Sequence, residues 1–130
     1  MASFSKLSLD RLRTCDVRLQ RLFEKVVAGF DCTVICGHRT KEEQDEAVRL
    51  GRSKTSWPTS KHNSAPSRAV DVAPYPVDWN DRSRFYYFAG YVLGVASELG
   101  IRVRHGGDWN MDRKVADETF VDLPHFELMD

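Results

Sequence analysis

The chain has 130 residues, of which 42% are hydrophobic and 29% carry a charge. This length and composition are typical of one globular domain, so we expect residues 1–130 to form a single domain. Nineteen basic residues balance nineteen acidic ones, which excludes the overall positive field of many nucleic-acid binders. No stretch approaches the roughly 20 apolar residues that a membrane-spanning helix needs, so we expect no stable membrane insertion.

The first half of the chain predicts two helices and a strand between them. Apolar residues recur at three- and four-residue spacing over residues 7–30, which predicts one amphipathic helix that ends near Gly29. The β-branched run over residues 31–37 predicts a buried strand. The Thr-Lys-Glu-Glu run that begins at Thr40 fits a capping box and predicts a second helix over residues 41–50.

The second half predicts a loop, a third helix and three strands. Residues 52–67 are rich in Ser, Thr, Lys and Pro without periodicity, which predicts a loop. Helical spacing predicts the third helix from residue 80 or 81 to residue 99, with Gly100 as its end. The strands are predicted at residues 68–73, 101–104 and 125–129. Long helices, short strands and short connections together predict an α+β fold in which about three helices pack on a small antiparallel sheet.

The three cysteines are an odd number, which favours reduced thiols over a disulfide framework. Cys32 and Cys36 lie on the first predicted strand, whose alternation would point both side chains to one face. Burial as small apolar residues is favoured over a thiolate metal site. The N-terminal residues lack the pattern of a secretory signal, so we expect synthesis and folding in a cytoplasm.

Two histidines and two aspartates suggest a metal site. His62 and Asp71 flank one loop, and Asp122 and His125 share the run Asp-Leu-Pro-His. Two imidazoles and a carboxylate are a common ligand set for catalytic zinc, with the fourth position left for water. Asp122 is then a candidate base for that water. The competing interpretations are that strand alternation turns Asp71 outwards and that Asp122 only begins a turn.

Other residues are candidates for the rest of such a site. Arg39 follows the first predicted strand, where its guanidinium can pair with a substrate carboxylate or a developing negative charge, or be solvated. The His-Gly-Gly-Asp-Trp run makes Trp109 a candidate pocket wall. The same run makes His105 a competing third histidine ligand, ranked below His125.

Three segments resemble the zinc motifs of a known family. They are Ser-x-His at residues 60–62, Ala-Val-Asp at 69–71 and Asp-Leu-Pro-His-Phe at 122–126. They resemble the D-Ala-D-Ala carboxypeptidase/L-alanyl-D-glutamate endopeptidase family of zinc metallopeptidases, within the hedgehog- and lysostaphin-like group, and above all its phage endolysins. Further similar blocks lie at residues 37–40, 51–55 and 106–109, so the resemblance extends from about residue 34 to 128.

The resemblance implies a set of roles. His62, Asp71 and His125 are expected to bind Zn²⁺, Asp122 to act as general base, and Arg39 to stabilise substrate or transition state. The residues expected to bind substrate are Ser60, Asp108 and Trp109. The implied reaction is cleavage of the bond between L-alanine and D-glutamate in peptidoglycan stem peptides.

Two alternatives remain besides this endopeptidase. One is a D-Ala-D-Ala carboxypeptidase, although relatives of that kind more often have a glutamate at the position of Asp122. The other is a catalytically silent wall-binding module, which the complete set of candidate ligands disfavours. For the endolysin we expect a monomer that accumulates in the host cytoplasm and reaches the wall through a membrane pore.

Overall fold

The computed structural model describes residues 2–130 as four α-helices and a four-stranded antiparallel sheet. The helices are α1 (Lys6–Leu12), α2 (Val17–Gly29), α3 (Lys41–Arg49) and α4 (Arg82–Leu99). The strands are β1 (Cys32–Cys36), β2 (Ala69–Pro74), β3 (Val103–Gly106) and β4 (Asp122–Leu128). The predicted α+β class with a small antiparallel sheet is confirmed, with four helices in place of about three.

The single helix predicted over residues 7–30 is wrong, because the chain forms two helices there. Asp16 caps α2 by accepting a hydrogen bond from the backbone N–H of Arg18. Cys15 forms an isolated bridge with Ser67, and the Asp16 N–H donates to the Ser67 carbonyl at 2.8 Å. A distant loop therefore binds the backbone at the break, while the apolar spacing continues through it.

The ends of the other helices follow the sequence signals closely. Thr40 and Glu43 form both halves of the capping box at the start of α3. Gly100 ends α4 in the left-handed conformation, with φ of 70°. Within residues 2–130, none of the helices has both the length and the apolar character required to cross a bilayer.

The sheet order is β1-β2-β4-β3, so β2 and β4 lie at its centre. Asp71 on β2 pairs with His125 on β4 and with Cys36 on β1. Directly paired residues of antiparallel strands point to the same face. One face of the sheet therefore carries all three of these side chains. β4 begins at Asp122 and not at His125 as predicted, because Asp122 pairs with Gly106.

The opposite face of the sheet packs against α2 and α4. Val70 pairs with Phe126 on this face, and the Phe126 ring lies 5.4 Å from Phe23 and 6.2 Å from Phe88, between centroids. Burying a side chain of this size contributes roughly 2 kcal/mol. A one-residue shift of β2 would bring Asp71 into this core, so the core holds the register that presents Asp71 to the other face.

Candidate metal and catalytic site

The three predicted metal ligands converge on the face of the sheet opposite the core. His62 Nε2 lies 3.2 Å from Asp71 Oδ1, and His125 Nδ1 lies 3.2 Å from the same oxygen. The two histidine nitrogens are 3.3 Å apart. All three residues are buried. Strand alternation therefore turns Asp71 into this cluster and not towards solvent.

Different elements hold these side chains in place. Asp71 and His125 are fixed by the pairing of β2 with β4. His62 lies on a 3-10 turn, Lys61–Asn63, whose N-cap Ser60 accepts a hydrogen bond from the His62 N–H. The Arg39 N–H donates to the His62 carbonyl at 2.8 Å. The loop histidine is therefore anchored both at its own turn and by the segment after β1.

The outer nitrogen of each imidazole has its own hydrogen-bond acceptor. His62 Nδ1 lies 2.7 Å from the Gly37 carbonyl oxygen, and His125 Nε2 lies 2.8 Å from Glu127 Oε1. Since both acceptors require an N–H, the hydrogen-bond partners assign the protons to these outer atoms. His62 Nε2 and His125 Nδ1 then present lone pairs to the centre.

The donor set fits a divalent metal ion. Two imidazole lone pairs and a carboxylate oxygen face one another in a buried space, where acceptor atoms need a shared cation or protons. Burial by itself would lower the pKa of His62, yet the charge and hydrogen bond of Asp71, together with Cys36, outweigh burial and raise that pKa to about 10. Burial opposes ionisation of Asp71, but the two histidines hold its pKa below the usual range. The centre therefore favours positive charge.

Asp122 contributes a fourth polar group beside the cluster. Its Oδ2 lies 3.8 Å from His125 Nδ1, and ligand atoms of Asp71, Asp122 and His125 all lie within 4.8 Å of one another. Burial and the negative charge of Asp71 raise the pKa of Asp122 to about 6. A carboxyl group with such a pKa can both accept and return a proton near neutral pH.

Arg39 is held at the same centre and is not a solvated loop residue. Its Nη2 lies 3.5 Å from Asp71 Oδ2, with the Arg39 side chain only 14% exposed. Its Nη1 donates to Gln44 Oε1 at 2.9 Å. Gln44 is fully buried, so the guanidinium is oriented by a fixed neighbour as well as by the carboxylate.

Comparison with known proteins identifies the family. A family model described as phage L-alanyl-D-glutamate peptidase matches residues 1–129. The chain belongs to this peptidase family. A relative, the L-alanyl-D-glutamate peptidase of Escherichia phage T5, is 32% identical over 134 residues, which cover 97% of each protein. The L-Ala D-Glu endopeptidase ChiX of Serratia marcescens has a similar structure, with a TM-score of 0.74, 28% identity, and coverage of 98% of this chain and 91% of ChiX.

The predicted family and the prediction of an enzyme are thus confirmed.

The prediction that Cys32 and Cys36 point to the same face of the first strand is wrong. A bulge between Val34 and Cys36 shifts the register of β1, so the two cysteines do not share a face. Cys32 lies in the core. Cys36 Sγ instead lies within 4.8 Å of ligand atoms of His62 and Asp71. A bulge leaves no clear signal in the sequence. The sequence pattern therefore did not place Cys36 beside the candidate metal ligands.

His105, the competing ligand, points to the core face of the peptidase sheet. It pairs with Phe126, and their rings lie 4.9 Å apart. Its Nε2 lies 2.6 Å from the Leu123 carbonyl oxygen, and its Nδ1 accepts a hydrogen bond from the Gly107 N–H. Both ring nitrogens are engaged away from the cluster, so His105 is excluded as a ligand there.

An open cleft of about 400 Å³ lies over the cluster in this peptidase. Ser60 and Trp109, two of the predicted substrate-binding residues, line it, and the Trp109 ring lies 5.5 Å from His125. Asp108 lines a second cavity instead. The Oδ2 of Asp108 accepts a hydrogen bond from the Arg113 N–H. The substrate-binding roles of Ser60, Asp108 and Trp109 stay predictions.

Proposed function

We propose that this protein is a zinc-dependent endopeptidase that cleaves the L-alanyl-D-glutamate bond of peptidoglycan stem peptides and serves a phage as its endolysin. The observation that supports this most strongly is the buried convergence of His62, Asp71 and His125 beside Asp122. The family, the phage T5 relative and ChiX are all named for the same bond.

In this proposal the metal is held by His62 through Nε2, Asp71 through Oδ1 and His125 through Nδ1. When bound, zinc would polarise the scissile carbonyl as a Lewis acid and would lower the pKa of the attacking water. The Cys36 thiol lies next to two of these ligands, His62 and Asp71.

The remaining steps fall to side chains of this chain. Asp122 accepts the proton of the attacking water and then delivers it to the nitrogen of the leaving D-glutamate, as its raised pKa allows. Arg39 offers its guanidinium to the carbonyl oxygen as negative charge develops there. The contact of Arg39 with Gln44 keeps this group oriented before substrate binds.

The charge of the cleft fits an acidic peptide. Five basic residues line it: Arg39, Arg52, Lys54, Lys61 and Arg104. Within residues 2–130, Glu127 pairs with two of them, Lys61 and Arg104, and Asp71 pairs with Arg39. Arg52 and Lys54 have no acidic partner within 4 Å in this part of the chain. A D-glutamate residue retains a free carboxylate after its nitrogen is acylated, so we assign Arg52 and Lys54 to the substrate carboxylates.

The reaction can be tested by incubating the zinc-loaded protein with purified peptidoglycan and identifying the new chain termini. We expect new amino-terminal D-glutamate, its loss after chelation and its return with zinc. Release of free D-alanine without new D-glutamate termini would identify a carboxypeptidase instead. Binding to the wall without any new terminus would identify a silent module.

We further propose that residues 1–130 act as a single-domain monomer, made in the host cytoplasm and delivered to the cell wall at lysis. The phage origin of the T5 relative supports the lysis role. Light scattering of the purified protein should give the mass of one chain, and a dimer mass would contradict the monomer.

A further inference from the structure

Glu127 is a buried carboxylate on the same face of β4 as His125. The two residues lie two positions apart, and alternate residues of a strand share a face. Glu127 is only 6% exposed. Its Oε1 lies 2.8 Å from His125 Nε2. Because an unpaired buried carboxylate is costly, its partners indicate what this group does.

Two cations balance the charge of Glu127. Its Oε2 accepts a hydrogen bond from Arg104 Nη2 at 2.7 Å and lies 3.2 Å from Lys61 Nζ. Arg104 is held in turn by the Trp109 carbonyl, to which its Nη1 donates at 3.1 Å. With Oε2 engaged by both cations, Oε1 is left as a fixed acceptor for His125.

This contact decides which nitrogen of His125 faces the metal centre. An imidazole that donates through Nε2 to a carboxylate keeps its lone pair on Nδ1. His125 Nδ1 is the atom that lies close to Asp71 and His62. Without an acceptor at Oε1, the proton could move to Nδ1 and the ring could rotate, and either change would remove the ligand atom.

We propose that Glu127 is a positioning residue that fixes His125 as an Nδ1 metal ligand. The inference rests on the metal site of the proposed function and adds a residue that acts through His125 and not on the metal itself. It predicts that metal binding depends on an acceptor at position 127, and that a side chain of equal length without an acceptor cannot replace it.

The test compares Glu127→Met, which keeps the length but has no acceptor for His125, with Glu127→Gln, which keeps an acceptor oxygen. Zinc affinity is measured by competition with a chromogenic chelator, and the His125 protonation pattern by imidazole ¹⁵N NMR. We expect Glu127→Met to weaken zinc binding roughly 10- to 100-fold and lower kcat with little change in KM. Glu127→Gln keeps a single acceptor oxygen, for which His125 and the two cations compete, and should recover part of the zinc affinity that Glu127→Met loses. Glu98→Met, on the exposed face of α4, should match wild type.

Several results would overturn the inference. Wild-type zinc affinity in Glu127→Met would do so, and so would equal losses in the Met and Gln variants, which indicate a merely structural role. Imidazole ¹⁵N NMR of the zinc-loaded wild-type protein needs no variant, so a folding defect cannot affect it. A His125 proton on Nδ1 in that spectrum would contradict the inference directly. Failure of wild-type protein to bind zinc would instead contradict the proposed function.

Discussion

Asp122 is the side chain on which proton transfer in the proposed reaction depends. Its carboxyl group lies beside the three candidate ligands but 3.8 Å from the nearest imidazole nitrogen. In the proposed reaction the three candidate ligands hold the metal, and Asp122 exchanges protons with water at the centre. The separation of ligand and base functions makes the two roles experimentally distinct.

Replacing Asp122 with Asn should abolish most activity and leave the metal in place. We expect a loss of about 10²- to 10⁴-fold in kcat, the usual contribution of a general base, with one zinc ion still bound per chain. Peptidoglycan lysis and metal analysis measure the two effects. Asp45→Asn, on the exposed side of α3, serves as control, and lysis by Asp122→Asn at the wild-type rate would remove Asp122 from the mechanism.

His105 makes stability depend on pH from a position in the core. Burial lowers its pKa to about 4 from an ordinary value of 6.5. Between these values the unfolded chain binds more protons than the folded one, so stability falls as pH falls from 6.5 to about 4. The expected loss from this group is up to about 3 kcal/mol.

Urea unfolding at a series of pH values, in the presence of chelator, measures this loss. A His105→Phe variant keeps an aromatic ring on the core face but cannot titrate, so its stability should fall less between pH 6.5 and pH 4. Parallel pH profiles for wild type and variant would show that His105 does not contribute.

The break between helices α1 and α2 is stabilised by the N-cap of α2. Asp16 accepts a hydrogen bond from the Arg18 N–H and also pairs with the Arg18 side chain. An N-cap contributes about 1 kcal/mol. The loop that carries Ser67 packs on this break, so the cap also supports the path between His62 and Asp71.

Asp16→Ala should lower the free energy of unfolding by about 1–2 kcal/mol, whereas Asp16→Asn, which can still cap, should lower it less. Denaturant titration gives both values. Asp10→Ala removes only an exposed ion pair with Lys6, so it should change the free energy of unfolding very little. A similar small effect for Asp16→Ala would mean that the bond between Asp16 N–H and Ser67 holds the break without the cap.

The loop after α3 is the element assigned to substrate carboxylates. Alanine at both Arg52 and Lys54 should raise KM roughly 100-fold, since each of the two lost hydrogen bonds to a charged group contributes about 1.5 kcal/mol, and should leave kcat nearly unchanged. Steady-state kinetics on a soluble stem peptide measures both constants. The exposed pair Arg21 and Lys25 on α2 provides a matched double-alanine control, and an unchanged KM would reject the assignment.

In the whole molecule, the candidate metal centre joins distant parts of the chain. Its candidate ligands come from the 3-10 turn, β2 and β4, so a bound ion links the loop region to the centre of the sheet. An ion that binds only the folded state adds about 2.7 kcal/mol when its free concentration is 100 times Kd. Under the proposed function, metal binding and folding are therefore coupled.

Zinc should raise the Tm of the metal-free wild-type protein by several degrees, and a chelator should reverse the change. His62→Ala should lose most of this shift, because one ligand is absent, while His38→Ala should retain it. Calorimetry with and without zinc makes the comparison. An equal shift in His62→Ala and wild type would place the bound ion elsewhere.

Local features could be predicted from neighbouring residues: the capping box at Thr40, the helix end at Gly100 and the buried strands. The residue types alone made His62, Asp71, Asp122 and His125 candidates for a metal site. Both kinds of prediction depend on neighbouring residues or on residue type, which a linear pattern records. The resemblance added the family, and the comparisons confirmed it.

Contacts between residues far apart in the chain became known from the three-dimensional structure. Long-range contacts divided the first helix through the bond between Asp16 and Ser67, moved Cys36 to the face of the candidate metal site through a bulge, and directed His105 to the core. They also brought Glu127 against His125 and two cations. Strand register and contacts between distant segments depend on the packing of the entire core, so no local pattern in the chain could specify them.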